Sequence, residues 1–269
     1  MNPERLSDAS PYLRALVTGA SSGIGAAFAA HLARDGYAST IVARHRARLE
    51  AEAKRLRKLG AAAVDVVAAD LTDAADLRRV EKRITEGPAL DLLVNNAGFG
   101  TTGSFARLDP AREEEEIRLN VVALVRLTRA ALPRMIARGR GAIVNVSSMA
   151  AFQPGPYMAT YGATKAFVNS FTEALHEELR GTGVRVQVLC PGFTRTAFPT
   201  RAGVDVSRIP SFVWMSPEAV VAASLAGLER GELVCVPGLA NRALVTLTGA
   251  VPRGLTRRVA GTISRQVLG

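Results

Sequence analysis

The sequence predicts an α/β protein of one domain: a doubly wound, parallel sheet with helices on both faces. Three observations lead there. Short apolar runs alternate with longer amphipathic ones along most of the chain. The short runs are near-continuous in Val, Ile and Leu, as strands buried on both faces are. A glycine-rich turn lies where the first apolar run passes into the first amphipathic one. No linker, composition shift or internal repeat divides the chain, so residues 1–269 read as one domain with its core over about 12–238.

The elements follow in order. RALVTGA (14–20) reads as a buried strand that ends at Gly19. Helical periodicity runs over 24–36 and stops at Gly36. ASTIVAR (38–44) is strand-like, and 46–59 is a charged helix with Leu49, Ala53, Leu56 and Leu59 on its apolar face. AVDVVAAD (63–70) is a strand, followed by a helix over 71–87 with Thr72 or Asp73 as its cap. LDLLVNNAG (90–98) is a strand, 110–138 one long helix, GAIVNVSS (141–148) a strand and 160–180 a helix. VRVQVLCPG (184–192), a helix over 216–230 and the last strand, ELVCVPG (232–238), complete a βαβαβαβαβαβαβ order. An open sheet of this kind binds ligands beyond the C-terminal ends of its strands.

Composition narrows the function classes. Hydrophobic residues make up 48% and charged residues 22%, as in a folded globular chain. Basic residues number 34 against 24 acidic ones, for a net charge of +10. The arginines are scattered and no aromatics interleave with them, which reads as solvated helix faces and not a nucleic-acid surface. Cys190 and Cys235 lie in apolar runs and read as reduced core residues. His31, His45 and His176 lack metal-ligand spacing, so no metal site is expected. The polar start MNPERLSDASPY has no apolar signal core, no run reaches the roughly 18 apolar residues of a membrane span, and a cytoplasmic location is the default expectation.

The turn TGASSGIG runs from Thr18 to Gly25 and holds Gly19, Ser21, Ser22, Gly23, Ile24 and Gly25. Gly19 allows a tight turn, Gly23 close approach of backbone to a phosphate, and Gly25 close helix–strand packing. The helix N-terminus behind it offers N–H groups and a positive dipole end to a pyrophosphate. At the end of the second strand, where NAD sites place a carboxylate, the chain reads Ala43-Arg44. Arginine can pair with a 2′-phosphate, so NADP(H) is expected over NAD(H). Asp70 and Leu71 end the third strand; Asp70 is placed to accept from an adenine amino group, to cap the next helix, or both.

Further segments line up behind this turn: NNAG at 95–98, Asn120 in RLNVVAL, Ser148 in NVSSMA, Tyr161 and Lys165 in YGATK, and PG-x-T from Pro191 to Thr194. Together with TGASSGIG, and in this order, they resemble the short-chain dehydrogenase/reductase family over roughly 12–238. The resemblance implies a Rossmann fold and an NAD(P)-dependent oxidoreductase acting on a carbonyl or alcohol. Tyr161 resembles the acid/base, Lys165 the residue that lowers its pKa and binds the nicotinamide ribose, Ser148 the donor to the substrate oxygen, and Asn120 the holder of a relay water. Asn96, Ala97 and Gly98 would line the adenosine side; Pro191, Gly192, Thr194 and Thr196 would bind the nicotinamide amide end. The chemistry is sound in its own right. A tyrosine of pKa about 10 needs a nearby cation to ionise nearer neutrality, and a lysine four residues on lies on the same helix face. Read singly, Ser148 could cap a turn and Asn120 could bond water locally within its helix.

The segment 197–216 interrupts the alternation at the place of the family's substrate loop. It carries Phe198, Phe212, Val213, Trp214 and Met215, while Met149, Phe152, Pro154, Tyr157 and Met158 follow the serine and Phe99 follows NNAG. These point to a hydrophobic, bulky ketone or aldehyde as the small-molecule partner. The tail 239–269 has five arginines and no acids, with spacing for two short amphipathic helices broken near Pro252–Gly254. Packing on the protein is favoured over peripheral membrane contact. The resemblance also implies a homodimer or homotetramer built on helices 110–138 and 160–180. The competing function is a non-catalytic NADP(H) sensor or interaction protein on the same fold.

Overall fold

The strands are β1 (Arg14–Thr18), β2 (Ala38–Ala43), β3 (Ala63–Ala68), β4 (Leu92–Asn95), β5 (Gly141–Val146), β6 (Val184–Leu189) and β7 (Val234–Cys235) in the computed structural model, which describes residues 12–203 and 210–250. They form one parallel sheet of seven strands in the order β3-β2-β1-β4-β5-β6-β7. Each expected strand is present and shorter than its apolar run, because the end of each run leaves the ladder to make a turn at the sheet's C-terminal edge. β7 is the extreme case, pairing only through Val234 and Cys235. The chain adds β2 and β3 on one side of β1, then crosses back to place β4 on the other. That reversal opens a crevice above β1 and β4.

The helices are α1 (Gly23–Arg34), α2 (Arg46–Lys58), α3 (Ala74–Glu86), α4 (Pro110–Ile117), α5 (Leu124–Ala137), α6 (Ala159–Glu178), α7 (Phe198–Arg201), α8 (Pro217–Glu229) and α9 (Leu239–Ala250). They divide between the sheet's two faces because strand side chains alternate. Ala15 and Val17 of β1 point to the layer of Phe28 and Leu32 from α1, Leu49 and Leu56 from α2, and Val220 and Val221 from α8. Leu16, between them, points to the opposite layer, with Leu77 and Val80 of α3, Leu127 and Met135 of α5, and Leu175 of α6. Cys190 and Cys235 are buried and form no disulfide. Among the described residues no helix is long and apolar enough to cross a membrane.

Two local expectations are corrected. The single helix over 110–138 is two helices, with a π-helical stretch, Arg118–Ala123, between them. A π turn inserts an extra residue and shifts the face that follows; here Asn120 is bonded across to the loop after β4 and to α6, which holds the stretch in place. Second, the cap of α3 is Asp73, which accepts from the N–H groups of Ala75 and Asp76. Asp70 does not cap it; its Oδ1 accepts from the backbone and hydroxyl of Thr72 and closes the turn before the helix. The tail begins with helix α9, in line with the first of the two helices expected there. Its Asn241 donates to Pro237 O, Arg242 donates to Val236 O, and Val245 packs on the core beneath β6. The break expected near Pro252–Gly254 lies outside the described residues.

Candidate active site

The glycine turn joins β1 to α1 at the crevice. Gly19 has φ +66°, a left-handed conformation that L side chains avoid, and a Cβ there would fall 2.7 Å from Asn96 Nδ2 and 3.0 Å from Ala97 Cα. At Gly25 a Cβ would run into Gly19 O and Asn96 Nδ2. Asn96 is therefore part of the turn's frame: its amide donates to Thr18 O at 2.8 Å and Gly19 O at 3.4 Å. Thr18 completes the frame, accepting at Oγ1 from the N–H groups of Asn96 and Ala97 and donating to Val94 O. Ser21, Ser22, Gly23 and Ile24 are half-buried, and Ser22 starts α1 in extended backbone with no side-chain cap bond. The leading N–H groups of α1 thus keep their donor capacity toward the crevice.

Around this turn stand the other expected binding residues. Arg44 is exposed at the end of β2, with Nη1 3.9 Å from Glu115 Oε1, a surface pair of little energetic weight. Asp70 is half-buried and Leu71 buried beside it. The loop after β6 reaches over from the other side. Thr194 is buried and donates to Gly192 O, Thr196 accepts from Phe198 N, and a Cβ on Gly23 would meet Thr196 Cγ2 at 3.1 Å. Pro191 is buried, and Asn241 of α9 lies against Gly192. A turn too tight for side chains, uncapped helical N–H groups and an arginine without a neighbouring β2 carboxylate fit a dinucleotide phosphate chain.

The four chemical residues converge at the ends of β4 and β5. Asn120 accepts from Phe99 N at 3.2 Å and donates to Phe99 O at 2.8 Å and Thr164 Oγ1 at 3.1 Å. Gly98 lies between Asn120 and Lys165; a Cβ there would meet Asn120 Oδ1 at 2.8 Å and Lys165 Nζ at 3.5 Å. Lys165 is buried and donates to Val146 O at 2.9 Å, while Ser147 Oγ donates to Lys165 O and ties α6 to β5. Ser148 accepts from Ala150 N at 3.1 Å, so it does cap the turn Met149–Ala151. Its hydroxyl also hydrogen-bonds the Tyr161 phenol.

Burial pushes the Tyr161 phenol up to about 12; the Ser148 bond opposes this and the Glu116 charge adds to it. Burial pushes the Lys165 ammonium down to about 8, while Glu116 and Cys190 hold it up. Lys165 Nζ stands 5.8 Å from the Tyr161 ring centroid. The expected lowering of the tyrosine rests on the lysine together with an oxidised nicotinamide; in the chain by itself the cost of burying a phenolate outweighs what the neighbours return.

Of the expected substrate residues, Phe198 lies over Tyr161 with ring centroids 5.5 Å apart, and Trp214 pairs at 5.5 Å with Phe193, which the sequence reading did not include. Arg195, Thr196, Ala197, Ser211 and Trp214 line an open depression beside them. Tyr157 has φ 67°, rare for a tyrosine, and its carbonyl accepts from Gly103 N. Residues 204–209 of the expected loop lie outside the described residues, as does the side chain of Phe212. Sequence reasoning missed Thr18, Thr164, Asn241 and Glu116. Thr18 and Thr164 stand inside the quoted motifs; Glu116 lies four residues before Asn120, a spacing that signals a shared helix face.

A family model described as short chain dehydrogenase matches residues 14–205. An uncharacterized oxidoreductase of Myxococcus xanthus is 41% identical over 186 residues, covering 69% of this chain and 73% of its own. A short-chain dehydrogenase from Sphingobium yanoikuyae, solved in complex with NADPH, is 40% identical with a TM-score of 0.80, covering 90% of this chain and 97% of its own. The bulky-bulky ketone specific alcohol dehydrogenase from Comamonas testosteroni is 36% identical with a TM-score of 0.77, covering 91% and 96%. Its sheet order, its ordered motifs and these matches together make this chain a member of the short-chain dehydrogenase family, an NAD(P)-dependent oxidoreductase.

Proposed function

We propose that the protein reduces a hydrophobic ketone or aldehyde to its alcohol with NADPH, reversibly, with Tyr161 as the acid and base. The observation that carries this reading is the convergence of Ser148, Tyr161, Lys165 and Asn120 beside the glycine turn. The nicotinamide, when bound, supplies the hydride. Ser148 accepts from Ala150 N, and its O–H, which bonds the Tyr161 phenol in the free protein, would turn to donate to a substrate oxygen. A donor aimed at a developing oxyanion contributes about 3 kcal/mol of barrier lowering. Tyr161 delivers the proton, and a phenol pushed up to about 12 stays loaded with it at neutral pH. Lys165 would return a proton to Tyr161, itself resupplied through a water held at Asn120; Asn120 also grips the backbone of Phe99, beside Gly98, which lies against Lys165.

Arg44 at the end of β2 supports NADPH, as does the NADPH complex of the Sphingobium relative. Phe198 and the Phe193–Trp214 pair support a bulky apolar substrate, in line with the ketone specificity of the Comamonas relative. Exposed Ile117, Val122 and Phe167 on α4 to α6 support a homodimer or homotetramer through those helices. The test is NADPH consumption against a panel of bulky ketones and aldehydes, with Tyr161→Phe beside wild type. Consumption should fall by at least about 100-fold in the variant while NADPH still binds. Undiminished turnover in Tyr161→Phe would remove the assignment.

A further inference from the structure

Glu116 of α4 is fully buried beside the site, and the mechanism above gives it no role. Its Oε2 accepts from Thr101 N at 2.9 Å and from Thr101 Oγ1 at 2.8 Å. Its Oε1 is buried with no hydrogen-bond partner among the described residues. A buried carboxylate oxygen without a partner is costly, and solvated helix faces offer many cheaper places for a glutamate. Glu113, one turn earlier, is also buried; its Oε2 accepts from Thr160 Oγ1, next to Tyr161, and its Oε1 likewise has no partner.

The bonds of Glu116 act on the tyrosine through the loop after β4. A Cβ on Gly100 would fall 2.8 Å from Tyr161 Cδ2, so the Gly100 backbone rests directly on the ring. Asn120 grips that loop at Phe99 and Glu116 grips it at Thr101, one on each side of Gly100. The charged and titratable groups that face Glu116 are Glu113 on its own helix and Lys165 and Tyr161 on α6. We propose that Glu116 is a positioning residue for Tyr161: its buried carboxyl fixes the Phe99–Thr101 backbone against the tyrosine ring, and its charge contributes to the pH response of the Tyr161–Lys165 pair. This rests on the reading of Tyr161 as acid and base.

The sign follows from the charges. Burial pushes Glu116 up to about 7; the Thr101 bonds oppose this, Glu113 adds to it and Lys165 opposes it. Above that pH the carboxylate forms and makes a Tyr161 phenolate harder to form, while favouring the Lys165 ammonium. Losing the Glu116 proton therefore helps Tyr161 keep its own.

Glu116→Gln tests this, because the amide oxygen can still accept from Thr101 while the charge is gone. One readout needs no cofactor: ultraviolet titration of tyrosinate in the free protein, with Tyr161→Phe subtracted. The other is kcat/KM for alcohol oxidation with NADP⁺ across pH. In Glu116→Gln both the Tyr161 titration and the rising limb of oxidation should move to lower pH, and the inflection near 7 should vanish. Thr101→Val keeps the charge but removes one stabilising donor, so that inflection should move up. Unmoved curves in Glu116→Gln, or a loss of rate with unmoved inflections, overturn the proposal. If Glu116→Gln does not fold, an unmoved inflection in Thr101→Val overturns it. Retained turnover in Tyr161→Phe would instead remove the acid/base reading, a separate result from the tyrosinate titration.

Discussion

Tyr161 and Lys165 occupy one face of α6, and burial moves their ionisations in opposite directions, the phenol up and the ammonium down. Both shifts favour neutral forms, as desolvation does. Glu116 is a further buried titratable group here, and its effect on stability has a definite sign. Its folded value of about 7 stands above its ordinary 4.5, so the folded state favours the proton. That preference is satisfied below about 4.5 and lost as pH rises through about 7. Glu116→Gln should therefore be more stable than wild type above neutrality, by roughly 1–3 kcal/mol, and the gain should shrink in acid. Thermal unfolding at about pH 8 and about pH 5 checks it; an equal difference at both would mean that the buried charge carries no penalty.

At the scale of elements, the site depends on places where regular structure stops. β1 ends in a left-handed glycine, and α4 passes into α5 through a π turn that carries Asn120. Gly19→Ala tests the first. The left-handed conformation costs an alanine about 1–2 kcal/mol, and its Cβ would meet Asn96 and Ala97. A lower midpoint in urea and a weaker NADPH titration should appear together, because the same turn closes the core and offers its N–H groups to phosphate. Unchanged affinity in a destabilised variant would separate the turn from the cofactor.

At the scale of the molecule, two buried layers clamp a single sheet, and some apolar side chains stay outside on α4 to α6, as others do on α9. Phe167 is 43% exposed and stacks on Phe171 at 5.9 Å. Light scattering should find a dimer or tetramer, and Phe167→Arg should shift it to a smaller species, since a charge is costly to bury at an interface. A wild-type monomer would remove the assembly. The net charge of +10 is spread over helix faces, where many arginines pair with acids on their own helix, as Arg112 does with Glu115 and Arg118 with Glu114.

Periodicity and punctuation alone determined the alternating elements, the parallel sheet and the edge at which the motifs gather, because these depend on local spacing. The ordered motifs from TGASSGIG to YGATK also determined which residues to look for. Only the tertiary structure decided what surrounds them. The run REEEEI reads as a solvated face by composition, yet Glu113 and Glu116 are buried and Glu114 stays exposed. The π turn beyond them is fixed by bonds from Asn120 to residues 21 and 44 positions away, which no local propensity encodes. The lysine–tyrosine spacing was legible, but the direction of the tyrosine's shift was not, because desolvation depends on every atom packed around a group and sequence spacing reports only its neighbours along the chain.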